Sequence, residues 1–228
     1  MSKLCLKCNK RRWYANPINK YEGYLGTFIK QNSYLNNKKA IGIRKNIAYS
    51  LQYLEYLQVS LNELNISTVT TTMLYKSFIV TGASIIEAIF YSVIVSNGQF
   101  PKDEWQSVKK INSSQFTHGT DMLKVDTEIF VKLQSPREIE MTFDGMCQKI
   151  EKKKLLGHSS SFYAQLKHIR RLRNRVHLHA IEGHFDTDWV NFNNKDFTLM
   201  KTILFEILTS ALFDVAGRNI NLFDFLKV

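Results

Sequence analysis

The chain has 228 residues, of which 44% are hydrophobic and 12% aromatic, with only three prolines and ten glycines. That content suits one compact core built from long helices, and it excludes disorder, collagen-like repeats and linker-rich architectures. Thirty-one Lys and Arg against twenty Asp and Glu leave a net charge of +11, which favours a polyanionic partner, most simply RNA or DNA.

Residues 1–42 are polar, Cys- and Tyr-rich and weakly periodic, with Pro17, Gly23 and Gly26 as punctuation, so this segment is expected to be loops holding at most one short element. Trp13, Tyr14, Tyr21, Tyr24 and Tyr34 lie among basic residues; they either stack nucleic-acid bases or cap one end of a bundle. Cys5-x-x-Cys8 has no second Cys pair, and Cys147 stands alone. The pair is therefore either part of a zinc site completed by a histidine such as His118, or two free thiols. An odd cysteine count and a start, MSKLCLKCNKRRWYANP, without the apolar run of a secretory leader point to the cytoplasm.

The remainder, 43–228, is expected to form a helical domain. Ile47, Leu51, Leu54, Leu57, Leu61 and Leu64 recur at helical steps from about Ile43. A second helix is expected from about Val69 to Ser96, apolar nearly all round. Its core, FIVTGASIIEAIFYSVIV (78–95), is long enough to cross a bilayer, but the central Glu87 is costly in lipid, which favours a buried helix and no membrane. Glu87 then needs a cationic or hydrogen-bonding partner, and Gly82 and Ala83 permit close helix packing. Partial two-residue alternation on either side of THGTD predicts a small β-hairpin insertion at about 104–136. Helical spacing resumes through Met146, Ile150 and Leu155, and Ser159 to Ser161 supply N-caps for the next helix. After a loop, GHFDTDWVNFNNKD, a last helix is expected from Asp196 to Ala216, capped by Gly217. The apolar tail NINLFDFLKV either folds back on the core or docks on a partner. The sum is an all-α, up-and-down helical bundle with a small hairpin insertion.

The segment HIRRLRNRVHLHAIEGH, 168–184, carries four arginines and four histidines. On a helical wheel Phe162, Leu166, Ile169, Val176 and Ala180 all fall within roughly 60° of Arg173. Arg173 thus sits at the centre of the apolar stripe, where an unpaired guanidinium is expensive. A buried glutamate, a phosphate or a subunit cleft must satisfy it, and Glu87 is the candidate within the chain. His177 shares that face; His179 reaches it only if the helix ends or bulges near Leu178. Arg170, Arg171 and Arg175 spread around the remaining circumference, as a solvated face or as phosphate contacts.

The residues RNRVHLH resemble the signature of the HEPN superfamily: an Arg, usually followed by Asn, Asp or His, and then a His after four to six intervening residues. Arg173 and Asn174 match the first two places and His179 the third, with five intervening residues; His177, with three, falls just outside, although helical phase favours it. The resemblance implies a helical bundle that dimerises around a composite cleft. It also implies, for many members, metal-independent RNA cleavage in toxin–antitoxin or phage-defence systems, without a cofactor and with an antitoxin or other defence protein as partner. In that reading His179 or His177 moves the proton of the attacking 2′-hydroxyl, Arg173 pairs with the phosphate oxygens and Asn174 orients the phosphate or the histidine. Arg170, Arg171 and Arg175 track the RNA backbone.

Two other readings compete. His177, His179, Glu182, His184, Asp186 and Asp188 are metal-ligating types, but Ile181 breaks the HxHxDH pattern and HExxH is absent. In the other, the chain is a non-catalytic RNA- or protein-binding scaffold whose Arg173 is held by Glu87. There is no GxxxxGK[ST], GxGxxG or GxSxG.

Overall fold

The computed structural model describes residues 5–6, 15–28, 38–157, 159–177, 179, 183–213 and 220–228. The chain divides into two compact units, one formed by residues up to Gly98 and from Thr142 onward, the other by Gln99–Met141.

The first unit is helical. A two-residue strand β1 (Cys5–Leu6) precedes helices α1 (Ile18–Leu25) and α2 (Lys38–Glu63) and pairs antiparallel with β2 (Leu64–Asn65). Helix α3 (Thr68–Ser96) follows. Beyond the second unit come α4 (Phe143–Lys152), α5 (Ser160–Asn174), the single turn α6 (Asp188–Asn191), α7 (Asn194–Leu208) and a 3-10 segment, Ile220–Leu226. α3 lies at the centre, packed against α2, α4, α5, α6 and α7. Its start is fixed by Ser67, whose hydroxyl accepts from Thr70 N at 3.3 Å. Its apolar residues then turn inward on almost every side, with Phe78, Ile79, Ile86, Phe90, Val93 and Ile94 wholly enclosed. By length and composition it passes as a membrane span, yet 56% of its most apolar window is buried against the other helices. Burial of that kind contributes about 1.5–3 kcal/mol for each large apolar side chain.

Gly82 shows how tightly α3 and α7 meet: a Cβ there would lie 2.7 Å from Met200 Sδ and 3.0 Å from Leu204 Cδ1. At the other end, Tyr24 donates to the carbonyl of Leu208 and packs edge-on against Phe223 at 4.8 Å. Glu55 on α2 is buried, but three donors satisfy it: Asn16 N and Nδ2 at 2.9 Å and Tyr21 Oη at 2.8 Å. Burial and the neighbouring Glu55 push the Tyr21 phenol well above its usual range.

The second unit is a β-ribbon. Strand β3 (Lys102–Asn112) runs antiparallel to β6 (Asp126–Glu138), and between them β4 (Phe116–His118) pairs with β5 (Asp121–Leu123). The two-residue loop Gly119–Thr120 closes the inner hairpin. Gly119 has φ +66° while Thr120 stays out of the left-handed region, as a turn with glycine at its first central position requires.

These elements correct the expected all-α class. Over the described residues the structure is 59% helical and 18% strand, arranged as antiparallel two-stranded sheets, so the class is mixed. The expected hairpin insertion is present and runs from Lys102 to Glu138, two residues beyond 104–136 at each end. Its two-residue alternation is only partial because the register shifts between Asp103 and Trp105 and between Ser107 and Lys109. The last helix stops at Leu208, well short of Ala216: the Ser210 hydroxyl accepts from Leu212 N and donates to Ile207 O, forming a turn. The Gly217 cap falls outside the described residues. α1 is a short element within 1–42, and α2 begins at Lys38.

Enlarging Gly82 should therefore cost stability. Gly82→Leu is expected to lower the unfolding free energy by about 2 kcal/mol or more through overpacking. Gly42→Ala, in α2 with nothing within 4 Å, should raise it by up to about 1 kcal/mol. Urea unfolding followed by circular dichroism separates the two.

Candidate functional site

α5 presents one face to α3, α4 and α7. Phe162, Tyr163, Leu166, Ile169 and Leu172 are buried, so the apolar stripe reads true as far as Leu172. The helix then ends. Asn174 is its last residue and Arg175 its cap, with Arg175 N bonded to Leu172 O at 3.0 Å in a tightened turn. This corrects the wheel beyond that point: Val176 is exposed, His177 lies outside the helix, and Ala180 is outside the described residues. Helical phase therefore does not place His177 over Arg173.

Arg173 occupies the final turn, where a cation is favoured by the helix dipole. Its Nη2 donates to Glu87 Oε2 of α3 at 3.0 Å. The two side chains are 34% and 27% exposed, so the pair is half-buried and reaches the surface. One nitrogen meets one oxygen, which leaves the rest of the guanidinium fork directed elsewhere. Two more arginines are also tied down. Arg170 Nη1 lies 3.1 Å from Asp144 Oδ1 of α4. Arg175 bonds Asp186, which also accepts from Asn191 Nδ2 at 2.7 Å. Arg171 and Asn174 are exposed. His177 and His179 are exposed as well, their ring centroids 6.0 Å apart and tilted by 46°. The residues brought together at the end of α5 are thus Arg173 with Glu87, and His177 with His179.

Among the described residues the metal-ligating types do not gather. Asp186 is occupied by Arg175 and Asn191, and Asp188 Oδ2 pairs with Lys76 Nζ at 2.7 Å. His184 packs on Phe185 with centroids 3.9 Å apart. Glu182 and the side chains of Cys5 and Cys8 lie outside the described residues. Cys147 on α4 is a free thiol, pushed up to about 12, chiefly by burial and with Asp144 and Glu87 adding to it, against the pull of Arg170. Such a thiol stays protonated and is a poor nucleophile. It lines a cavity of about 290 Å³ between α4 and α5 together with Tyr163, Lys167 and Arg170.

One polar constellation went unseen in the sequence. His168 Nε2 meets Asp196 Oδ1 at 2.7 Å, and Asp196 Oδ2 accepts from Asn193 Nδ2 at 3.0 Å. Asp196 N in turn donates to Asn193 Oδ1 at 3.1 Å, capping α7. The cap was legible, since Asn followed three residues later by an acidic residue is a helix-start pattern. Its link to His168, from another helix, was not. Compared with known proteins, the chain matches no protein-family model, no curated protein and no solved structure.

Two measurements follow from these contacts. Removing either partner of the Arg173–Glu87 pair leaves a half-buried charge, so Arg173→Met and Glu87→Gln should each destabilise the fold by about 1–2 kcal/mol after discounting for exposure. The double variant should recover part of that loss in a double-mutant cycle. Cys147, raised above its unfolded value, holds its share of stability at neutral pH and loses it as pH climbs from about 9 toward 12. In the folded protein at pH 8, iodoacetamide should leave the Cys147 peptide unmodified, and urea should expose it to full labelling by mass spectrometry.

Proposed function

We propose that the chain is a metal-independent endoribonuclease of HEPN type, with its site at the exposed end of α5. The observation that carries this reading is the pair of exposed imidazoles, His177 and His179, 6.0 Å apart just after a helix whose last turn holds Arg173 and Asn174. Cleavage of RNA by its own 2′-hydroxyl needs a base on that hydroxyl and an acid on the departing 5′-oxygen. Two exposed imidazoles close enough to reach one phosphodiester fit both roles. One takes the 2′-proton as the oxygen attacks phosphorus; the other gives a proton to the 5′-oxygen as its bond to phosphorus breaks. The products are a 2′,3′-cyclic phosphate and a free 5′-hydroxyl. Arg173, oriented by Glu87, offers its remaining N–H groups to the non-bridging oxygens. Asn174 and Arg171 lie exposed where they can hold the flanking backbone. The charge of +11 favours such a substrate, and cytoplasmic action agrees with the cysteine usage. A role in toxin–antitoxin or phage defence, with an antitoxin or defence partner and a dimeric cleft, rests on the resemblance alone.

A second reading has its own support. Arg170, Arg173 and Arg175 each have a carboxylate partner, as expected of a non-catalytic scaffold whose arginines stabilise the fold. Incubating purified protein with end-labelled RNA in EDTA decides between them. The ribonuclease reading expects cleavage by the wild type and a loss on the order of a hundredfold or more in Arg173→Ala, His177→Ala or His179→Ala. Full activity of either histidine variant, or of Arg173→Ala, would overturn it. RNA retention without cleavage by the wild type would favour the scaffold.

A further inference from the structure

The β3–β6 ribbon has no core of its own. Every residue of β6 except Leu133 is exposed, as is every residue of β3 except Asp103. A two-stranded ribbon is marginal by itself in water. Its register sorts the side chains into two faces, since cross-strand partners share a face and neighbours alternate. Trp105 opposite Lys132, Ser107 opposite Phe130 and Lys110 opposite Glu128 form one face. Gln106 with Val131, Lys109 with Ile129 and Ile111 with Thr127 form the other. Apolar groups stand in water on both: Trp105, Phe130, Val131, Ile129 and Ile111 are each 44–51% exposed.

The two edges differ. Opposite Asp126–Lys132, β3 bulges at Val108, which disrupts its outer ladder and discourages a further strand; the irregularity at Glu104 is shared with residues 133–136 of β6. β6 is regular and contiguous from Asp126 to Lys132, so its outer backbone groups make an open template. Charged residues on such an edge ordinarily repel newcomers. Here they read Glu128-Ile129-Phe130-Val131-Lys132, which is self-complementary about Phe130. Turned antiparallel on a second copy, Phe130 meets Phe130, Ile129 meets Val131, and Glu128 meets Lys132 twice. Moving the centre one residue either way sets a charge against Phe130 instead.

We propose that β6 is a homodimerisation edge, pairing antiparallel with β6 of a second copy around Phe130 to make a continuous four-stranded sheet. On one face a row then runs from Lys110 through Glu128 to Lys132 and Trp105 of the other copy, extending the existing Lys110–Glu128 contact of 3.4 Å. Ser107 and Lys110 already hold Glu128 below its usual range, its Ser107 hydrogen bond foremost, so it meets the incoming lysine as a carboxylate. The interface is isologous and closed, which limits growth to two copies on this edge. The inference does not depend on the ribonuclease reading, because its readout is mass and not activity.

The test is a charge-mixing experiment on the full chain. Multi-angle light scattering across a concentration series should show the wild type as a dimer. Lys132→Glu places two carboxylates opposite each other at both symmetry-related positions, and Glu128→Lys does the same with two ammonium groups. Each single variant should dissociate roughly tenfold more readily while keeping its far-UV spectrum. Mixing the two should restore the dimer as a heterodimer, since both cross-strand pairs become opposite in charge again. A monomeric wild type, single variants as dimeric as the wild type, or no recovery on mixing would overturn the proposal.

Discussion

A helix of 29 residues whose most apolar window has a mean hydropathy of 2.0 is costly in water unless it is covered along most of its circumference. The helical unit is organised by that requirement. α2, α4, α5, α6 and α7 each contribute a face to α3, and the amphipathic stripes of these helices exist because α3 supplies the apolar counterface. The fit admits little play: at Gly82 the α7 side chains approach within the space a methyl group would need. α3 carries two charges, Lys76 and Glu87, and each constrains what lies over it to supply the opposite charge: Asp188 of α6 meets Lys76 and Arg173 of α5 meets Glu87.

That constraint reaches the candidate site. α5 ends within one residue of Arg173, so the position where the chain leaves the helix is the position anchored to α3. The turn beyond is secured again by Arg175 and Asp186. The exposed histidines therefore follow a helix end held at two points, a better platform for positioned groups than an untethered loop. The same pairings mean that three of the four arginines spend part of their charge inside the protein. The electrostatic face at this end is milder than the sequence of the segment implies, and Arg171 is its most accessible cation.

How much of this was legible follows the range of each interaction. α3 and the buried Leu51, Leu54 and Leu57 of α2 could be read because apolar periodicity is local. The stripe of α5 could be read as far as Leu172 for the same reason. Where the helix stops could not, because its end is set by a turn and a cross-loop ion pair rather than by a glycine or proline. Glu87 and Arg173 could be named as candidate partners because each is a charge in apolar surroundings, and across 86 residues they meet at 3.0 Å. His168 and Asp196 gave no hint of one another. The hairpin at 104–136 could be read from partial alternation in both strands, while its bulges and inner β4–β5 pair could not.

The first helix also has a consequence for how the protein is made. Tyr21 and Tyr24 of α1 pack against Phe213 and Phe223, and the Tyr24 hydroxyl is satisfied by a carbonyl 184 residues later in the chain. None of those partners exists until the chain has been made as far as Leu208, Phe213 and Phe223. α2 and α3 can zip together early through contacts near in sequence, but the aromatic end of the core closes only once residues 208–223 have left the ribosome, making that closure a later, long-range step.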